Sequence, residues 1–471
     1  MVGDVVSTVY GPMSAEFAKS PLGDLCVPDG GVQTGPFGSQ LHSSDYVECG
    51  TPIITVEHLG ENRIIHKNLP RVTDEDKKRL ERYTLITGDI VFSRVGSVDR
   101  RAIVHPEEDG WLFSGRCLRV RPDRKKIDPG FLSWFFGLPT FQEHIRQIAV
   151  GATMPSLNTK ILGDVAIYYP PPLKHQQAIA CILGALDDKI ELNRRMNRTL
   201  EDIAQAIFKS WFVDFDPVRA KAAGQQPPNL KVEVAALFPS SFKESALGEI
   251  PTGWRTGVAD DLAAFVLGGD WGKDAASSEF AQAAFCIRGA DIPSLQSGGV
   301  GNMPIRYLKP SSIEKRSLRP YDIVIEISRG SPTQSTGRPV FVSLPLLEQL
   351  RYPLVCSNFC RLYRPKRGLS HFVYLWLRWL YSSDQFLQYE NGTTGIKNFA
   401  FTSFCQRHEV TEPTPEVLSA FNTIVDPLLE SIGRRGRESA TLAWLRDALL
   451  PALIGGDLVI ADAERIVGRA L

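Results

Sequence analysis

The chain has 471 residues, 43% hydrophobic and 23% charged, and its 53 basic and 53 acidic side chains cancel to a net charge of +0. That length exceeds what one core supports and fits two to four domains of ordinary globular composition. Charge neutrality excludes a protein that coats nucleic acid through bulk positive charge, so any polyanion site has to be local. The sequence holds no run of 18 or more uncharged apolar residues, and its first ten residues lack a basic start followed by an apolar stretch, so a cytoplasmic, unprocessed protein is expected. The eight cysteines show no paired CxxC spacing and read as reduced, mostly buried thiols, not as a zinc site or a disulfide framework.

In chain order, residues 16–170 mix short alternating strands (51–56, 89–93, 117–120) with a helix over 131–148, an α+β pattern. Pro170-Pro171-Pro172 then opens a long helix over 171–216, with apolar side chains at Ile179, Ile182, Leu186, Ile190, Met196, Leu200, Ile203 and Ile207. Asn193 and Asn197 interrupt that stripe, and Asp216-Pro217 is its predicted stop. Residues 217–244, with Gly224, Pro227, Pro228 and Pro239, are predicted as a linker. A second α+β segment follows over 245–412, with strands at 322–327 and 358–363 and a helix over 371–388. The last long helix, 413–456, carries Phe421, Val425, Leu428, Ile432, Leu442, Leu445, Leu449 and Leu453, and Gly433 and Gly436 predict a kink inside it.

Each long helix would span about 60 Å at ~1.5 Å per residue, with a stripe narrow enough for a coiled-coil seam. The expected fold class is α+β: two tandem α+β domains separated by two long helices packed as an antiparallel coiled coil, in a pseudo-twofold repeat. The alternative is that each helix folds back on its own domain.

The repeat is written in the sequence. Ser114-Gly115-Arg116-Cys117 followed by Arg119-Val120-Arg121-Pro122 is answered by Ser357-Asn358-Phe359-Cys360 followed by Arg361-Leu362-Tyr363-Arg364-Pro365. Asp89-Ile90-Val91 recurs as Asp322-Ile323-Val324, Gly151-Ala152-Thr153 as Gly392-Thr393-Thr394, and Leu22-Gly23-Asp24-Leu25 is paired with Leu247-Gly248-Glu249-Ile250. A period this long marks a duplicated domain, not a solenoid unit, so the function is expected to use two similar surfaces.

Catalytic signatures are missing from the sequence. Gly268-Gly269-Asp270-Trp271-Gly272-Lys273-Asp274 fails as a phosphate loop because Asp274 stands where Ser or Thr is needed, and the histidines lack metal-ligand spacing. Catalytic and metal-binding residues are therefore expected to be none. Basic clusters are the positive signal: Arg94, Arg100-Arg101, Arg116, Arg119, Arg121 and 124–126 in the first copy, and Arg329, Arg338, Arg361, Arg364 and Lys366-Arg367 in the second. Such residues fix a protein on phosphates, and Arg, Asn and Gln also read base edges; the plain reading is a solvated surface. Two loop types add hydroxyl and amide groups: Gly35-Pro36-Phe37-Gly38-Ser39-Gln40, and the pair 151–160 and 392–398. The candidate DNA-binding residues are Ser39, Gln40, Arg94, Asn158, Lys160, Arg329, Thr394, Lys397 and Asn398.

Leu173-Lys174-His175-Gln176-Gln177-Ala178-Ile179-Ala180, Leu186-Asp187-Asp188-Lys189-Ile190-Glu191-Leu192-Asn193 and Ser210-Trp211-Phe212-Val213-Asp214-Phe215-Asp216-Pro217-Val218 resemble the central region of specificity subunits of type I restriction-modification systems. Gly35-Pro36-Phe37-Gly38-Ser39, the loop 153–158 and Leu247-Gly248-Glu249-Ile250-Pro251-Thr252-Gly253-Trp254 extend the resemblance over nearly the whole chain. It implies a non-catalytic reader of double-stranded DNA, with one recognition domain per half of a split, asymmetric site and the helices as the ruler between them. It also implies two modification (methyltransferase) subunits on those helices, with restriction (translocase and nuclease) subunits added. S-adenosylmethionine, Mg²⁺ and ATP would serve the partners, and this chain would hold no cofactor. The second copy departs from the pattern in lacking the Gly-Pro-Phe loop and in its glycine-interrupted helix. A stand-alone bipartite DNA-binding regulator is the competing class.

Overall fold

The computed structural model describes residues 4–36, 38, 40–151, 153–329, 335–393 and 396–471. They form two compact units, Met1–Lys189 with Leu442–Leu471, and Ile190–Thr441.

Both units are built to one plan. The first has a four-stranded antiparallel sheet in the order Val32–Thr34, Cys117–Val120, Ile90–Ser93, Arg101–Ile103. The second has Ala263–Gly268, Cys360–Pro365, Ile323–Glu326, Pro339–Phe341 in the same relation. A three-stranded sheet with one parallel pairing accompanies each: Arg71–Val72, Thr51–Ile54, Leu112–Phe113 in the first, and Ile305–Leu308, Gln282–Ile287, Leu354–Cys356 in the second. A closing pair joins the start of each domain to its end, Ala18–Pro21 with Ala166–Tyr169, and Arg255–Val258 with Glu409–Glu412. The fold class is the α+β repeat that the sequence predicts.

The repeated Asp-Ile-Val has a physical cause. Ile90–Ser93 and Ile323–Glu326 are buried along their whole length, so polar groups at their ends need partners inside the protein. Asp89 accepts from the backbone N–H of Ile86 at 2.9 Å and takes a forked pair of bonds from Arg121 at 2.8 and 2.7 Å. Asp322 repeats the arrangement, with the N–H of Arg319 at 2.7 Å and both arms of Arg364 at 2.7 Å. Arg121 and Arg364, two members of the expected basic clusters, are therefore architectural. Arg119 is likewise buried, donating to the carbonyls of Arg82, Thr84 and Gly30, and burial followed by repulsion from Arg121 pulls its guanidinium down to about 10.

Other expectations are revised. The helix predicted over 131–148 is two helices, Pro129–Phe135 and Pro139–Ile148, because proline starts the second at a position where its missing N–H costs nothing. Leu22–Leu25 and Leu247-Gly248-Glu249-Ile250 are not counterparts: the short turn Leu22–Leu25 follows its closing strand as Ala259–Leu262 does, whereas Gly248 belongs to the hairpin Phe242–Ser245 and Gly248–Pro251. The counterpart of that hairpin is Val5–Thr8 with Gly11–Ser14. The interval 217–244 contains the helix Val232–Ala236 and most of the helix Asp216–Ala222.

The long helices run over Leu173–Phe212 and Pro415–Gly455. In the second unit Phe212 lies 4.8 Å from Phe421 between ring centroids, Asn197 Nδ2 donates to the carbonyl of Ile432 at 3.2 Å, and Asn193 Nδ2 donates to Glu438 Oε2 at 2.9 Å. One residue number falls as its partner rises, so the helices are antiparallel. Their segments in the first unit bury Ile179, Ile182, Leu183 and Leu186, and Leu442, Leu449, Leu450 and Leu453. There Asp187 meets Arg446 at 2.9 Å and Arg63 at 2.6 Å, all three largely shielded from water. Met196 and Ile203, read as seam residues, are 37% and 42% exposed while Asn193 and Asn197 are buried, because the three-and-four spacing set by Leu186 and Ile190 continues through Asn193, Asn197, Ala204 and Phe208 and leaves Met196 and Ile203 one position off it.

The second helix is continuous through Gly433 and Gly436, without a break or a frayed stretch there. A Cβ on Gly436 would lie 1.5 Å from the carbonyl oxygen of Gly298, and one on Gly433 would lie 2.7 Å from Ser343 Oγ. These glycines admit a neighbouring backbone, and Asn197 completes the contact by donating to the carbonyl of Ser297 at 2.9 Å. Alanine in a helix interior ordinarily gains about 1 kcal/mol over glycine. Here the clash decides the sign, and Gly436→Ala is expected to lower unfolding free energy by about 1–3 kcal/mol, as overpacking does. Denaturant unfolding of the full chain checks this, and a stabilised variant would refute the close-approach account.

The stretch that carries the family resemblance is an aromatic cluster. Phe212 and Phe215 pack 5.8 and 5.7 Å from Trp254, and Trp211 packs 5.0 Å from Phe238. Trp254 is fully buried. The end of the first long helix and the Gly-Trp end of the following hairpin are thus one packing unit, each buried aromatic worth roughly 1.5–3 kcal/mol.

Candidate nucleic-acid interface

In both units, loops from four distant stretches converge at one end of the four-stranded sheet. The turns at 114–117 and 357–360 close with backbone bonds of 2.9 Å, and Ser114 and Ser357 Oγ reach Cys117 and Cys360 Sγ at 3.7 and 3.8 Å. Burial pushes both thiols up to about 12, so they are inert structural groups. Against each turn lies a glycine. Gly35 N donates to the Cys117 carbonyl at 3.2 Å, and Gly269 N to the Cys360 carbonyl at 3.2 Å. A Cβ on either would lie 2.1 or 2.0 Å from the serine carbonyl oxygen.

Gly269, in the stretch that failed as a phosphate loop, makes in the second unit the contacts that Gly35 makes in the first, so the second copy keeps a glycine at that turn while lacking the Gly-Pro-Phe letters. In the second unit the loop is braced by buried Arg306, whose guanidinium lies 4.2 Å from the Trp271 ring centroid, donates to the Trp271 carbonyl at 2.9 Å and pairs with Asp274.

The other two loops meet in the same place. Leu157 N donates to the Arg94 carbonyl at 2.9 Å and Gly96 N to the Pro155 carbonyl at 2.9 Å, with bridges linking Val95 and Val150 to Ser156. In the second unit Phe399 N donates to the Ile327 carbonyl at 2.8 Å, and Ser328–Arg329, Ile396–Phe399 and Glu390–Thr393 form a three-stranded sheet. In the first unit Pro36, Gly38, Tyr46, Asn68, Gly115 and Arg116 help to line an open cleft of about 690 Å³.

Residues 16–202 match the model of the type I restriction modification DNA specificity domain. The chain is 25% identical over 442 residues to the type I restriction enzyme HindI specificity subunit of Haemophilus influenzae, covering 84% of this chain and 92% of that one. It is also 25% identical over 335 residues to the type I restriction enzyme MjaIX specificity subunit of Methanocaldococcus jannaschii, covering 70% and 69%. The chain is thus similar to type I specificity subunits over most of its length. A solved S subunit of a type I restriction-modification system from M. genitalium shares the fold, with a TM-score of 0.53 at 16% identity over 93% of this chain and 96% of that one.

The candidate residues fall into distinct situations. Ser39 and Thr394 lie outside the described residues, as does the side chain of Arg329. Gln40 is engaged, its carbonyl accepting from Arg79 at 2.5 Å and its side-chain oxygen from the Tyr83 hydroxyl at 2.7 Å. Arg94 donates to the Gly115 carbonyl at 3.0 Å and so ties its own loop to the turn. Asn158 is exposed and caps the helix Thr159–Gly163 by accepting from Ile161 N at 2.8 Å, a role in which alanine costs about 0.5–2 kcal/mol. Lys160 and Asn398 are exposed, whereas Lys397 pairs with Glu390 at 3.1 Å.

The pairing of residues between copies also shifts. By backbone bonds Leu157 corresponds to Phe399, so Asn398 answers Ser156, and Asn158 answers Ala400, which precedes the helix Phe401–Arg407. Arg94 corresponds to Ile327, because Ser93 and Glu326 are the residues paired with Cys117 and Cys360. Among the described residues no group of three or more His, Cys, Asp or Glu could hold a metal ion, and no helix is long and apolar enough to cross a membrane.

Proposed function

We propose that the chain is the DNA-reading, non-catalytic subunit of a type I restriction-modification assembly, each unit reading one half of a split, asymmetric site. The observation that carries this reading is one backbone framework built twice with different side chains at its loop-bearing end: Gly-Pro-Phe-Gly-Ser-Gln in one unit, Gly-Asp-Trp-Gly-Lys-Asp in the other. A shared scaffold with unlike tips suits two different half-sites. The two long helices connect the units covalently and set the gap between half-sites.

The helices also receive two modification subunits, which supply adenine methylation with S-adenosylmethionine; restriction subunits supply ATP- and Mg²⁺-dependent steps. Leu192, Met196 and Ile203 on the first helix are 49%, 37% and 42% exposed, and Trp444 on the second is 71% exposed. Large apolar side chains left in water on a helix suit a protein partner.

Selection of the full chain against random duplex DNA tests the reading. The expected result is two conserved blocks separated by a gap of fixed length. Seven residues inserted into each long helix add about 10 Å and lengthen the gap by about three base pairs, leaving both blocks unchanged. A single continuous block, or an unaltered gap in the insertion variant, contradicts it.

A further inference from the structure

The two turns beside the glycine loops are copied in backbone and not in side chain. In each, the third residue's carbonyl accepts from the strand beyond: Arg94 N donates to the Arg116 carbonyl at 2.8 Å, and Ile327 N to the Phe359 carbonyl at 2.9 Å. With the shared closing bonds and the shared glycine contact, the third residues occupy equivalent places at the same end of the sheet. One is Arg116, exposed on the rim of the cleft. The other is Phe359, 57% exposed. A phenyl group held in water forgoes burial worth roughly 1.5–3 kcal/mol, and folding does not require it there, because the same turn forms in the first unit with arginine.

We propose that this third turn position determines base preference in each half-site: Arg116 donates to the O6 and N7 of a guanine, and Phe359 packs on the 5-methyl group of a thymine. The inference rests on the reading of one half-site per unit. Its chemistry follows from the groove: guanidinium forms a forked pair of bonds to guanine's two acceptors, and the thymine methyl is the apolar feature of the major groove. The solvated-surface alternative gives neither side chain a role.

Competition binding by the full chain, against duplexes altered one position at a time in the selected site, decides between them. Arg116→Ala is expected to lose about tenfold of guanine preference at one position of one half-site, equivalent to about 1.4 kcal/mol. Phe359→Ala is expected to lose a thymine preference in the other half-site, and deoxyuridine at that position, which lacks only the methyl, should reproduce the loss with the unsubstituted protein. Equal thermal midpoints control for folding. Uniform weakening over all sequences with a shallower salt dependence would make Arg116 a phosphate contact and overturn its part. Unchanged discrimination in either variant overturns that residue's assignment. If the unsubstituted chain itself selects no sequence, the reading of the protein as a DNA reader falls, a result distinct from failure of the two residues.

Discussion

Gly35→Ala and Gly269→Ala are each expected to erase one half-site while leaving the other intact. The added Cβ would lie 2.1 Å from the Ser114 carbonyl oxygen or 2.0 Å from that of Ser357, backbone against backbone, with no flexible side chain able to yield. Either the glycine loop or the turn has to move, and both belong to the proposed reading surface. Overpacking of this kind costs about 1–3 kcal/mol, so the unit remains folded while its loop end is displaced. Gly38→Ala is the control in the same loop, since nothing lies within 4 Å of its Cβ position. Selection with the three variants checks this: loss of one block in each of the first two, and neither block in the control, is the expected pattern. A Gly269→Ala protein that still selects both blocks would separate the loop from recognition.

A second large effect is expected at Glu326 and Arg338. Their side chains are 2% and 9% exposed and form a forked pair at 2.7 and 2.8 Å, with Arg338 also donating to the Gly289 carbonyl at 2.7 Å. Arg338→Ala removes both arms of that pair from a buried carboxylate, and breaking a buried ion pair from one side costs about 3–5 kcal/mol. Replacing both members by apolar side chains of similar size, Glu326→Leu with Arg338→Met, is expected to restore most of that loss, because the desolvation cost of both ions disappears. The first unit supports this: the equivalent of Glu326 is Ser93, whose backbone N–H bonds to the Arg100 carbonyl at 2.9 Å as Glu326 bonds to Arg338 at 3.0 Å. The framework thus forms without the pair. Calorimetry of the single and double variants measures both quantities, and a single variant losing under about 1 kcal/mol would show that the carboxylate finds water.

The repeated framework was legible because its constraints are local. Asp89 and Asp322 each cap a tight turn and hold an arginine on the neighbouring strand, so the same letters recur at the same spacing. The loops were harder to align. Only the glycines at 35 and 38, and at 269 and 272, survive in both copies; backbone approach fixes Gly35, Gly269 and Gly272 and leaves the other letters free. The hairpin pairs also slipped: Val150 to Ser156 spans one residue fewer than Asn391 to Asn398, so a match anchored on Gly151 and Gly392 drifts out of register by its far end. Gly433 and Gly436 looked like helix breakers because propensity is a property of neighbours in sequence. Their reason lies near Gly298 and Ser343, far away along the chain.

The division of the chain has a consequence for its synthesis. Ile190–Thr441 is contiguous, whereas the other unit joins Met1–Lys189 to Leu442–Leu471. A ribosome emits residues in order, and domains fold as units once their residues have emerged. The portion made first therefore closes last: Ile179, Ile182, Leu183 and Leu186 leave the tunnel about 250 residues, at ~5–20 residues per second some tens of seconds, before the helix that carries Leu449 and Leu453. Through that interval the apolar stripe of the first half stays open while the second half is still being made, which makes the early half the natural client of a chaperone or of a partner already at hand.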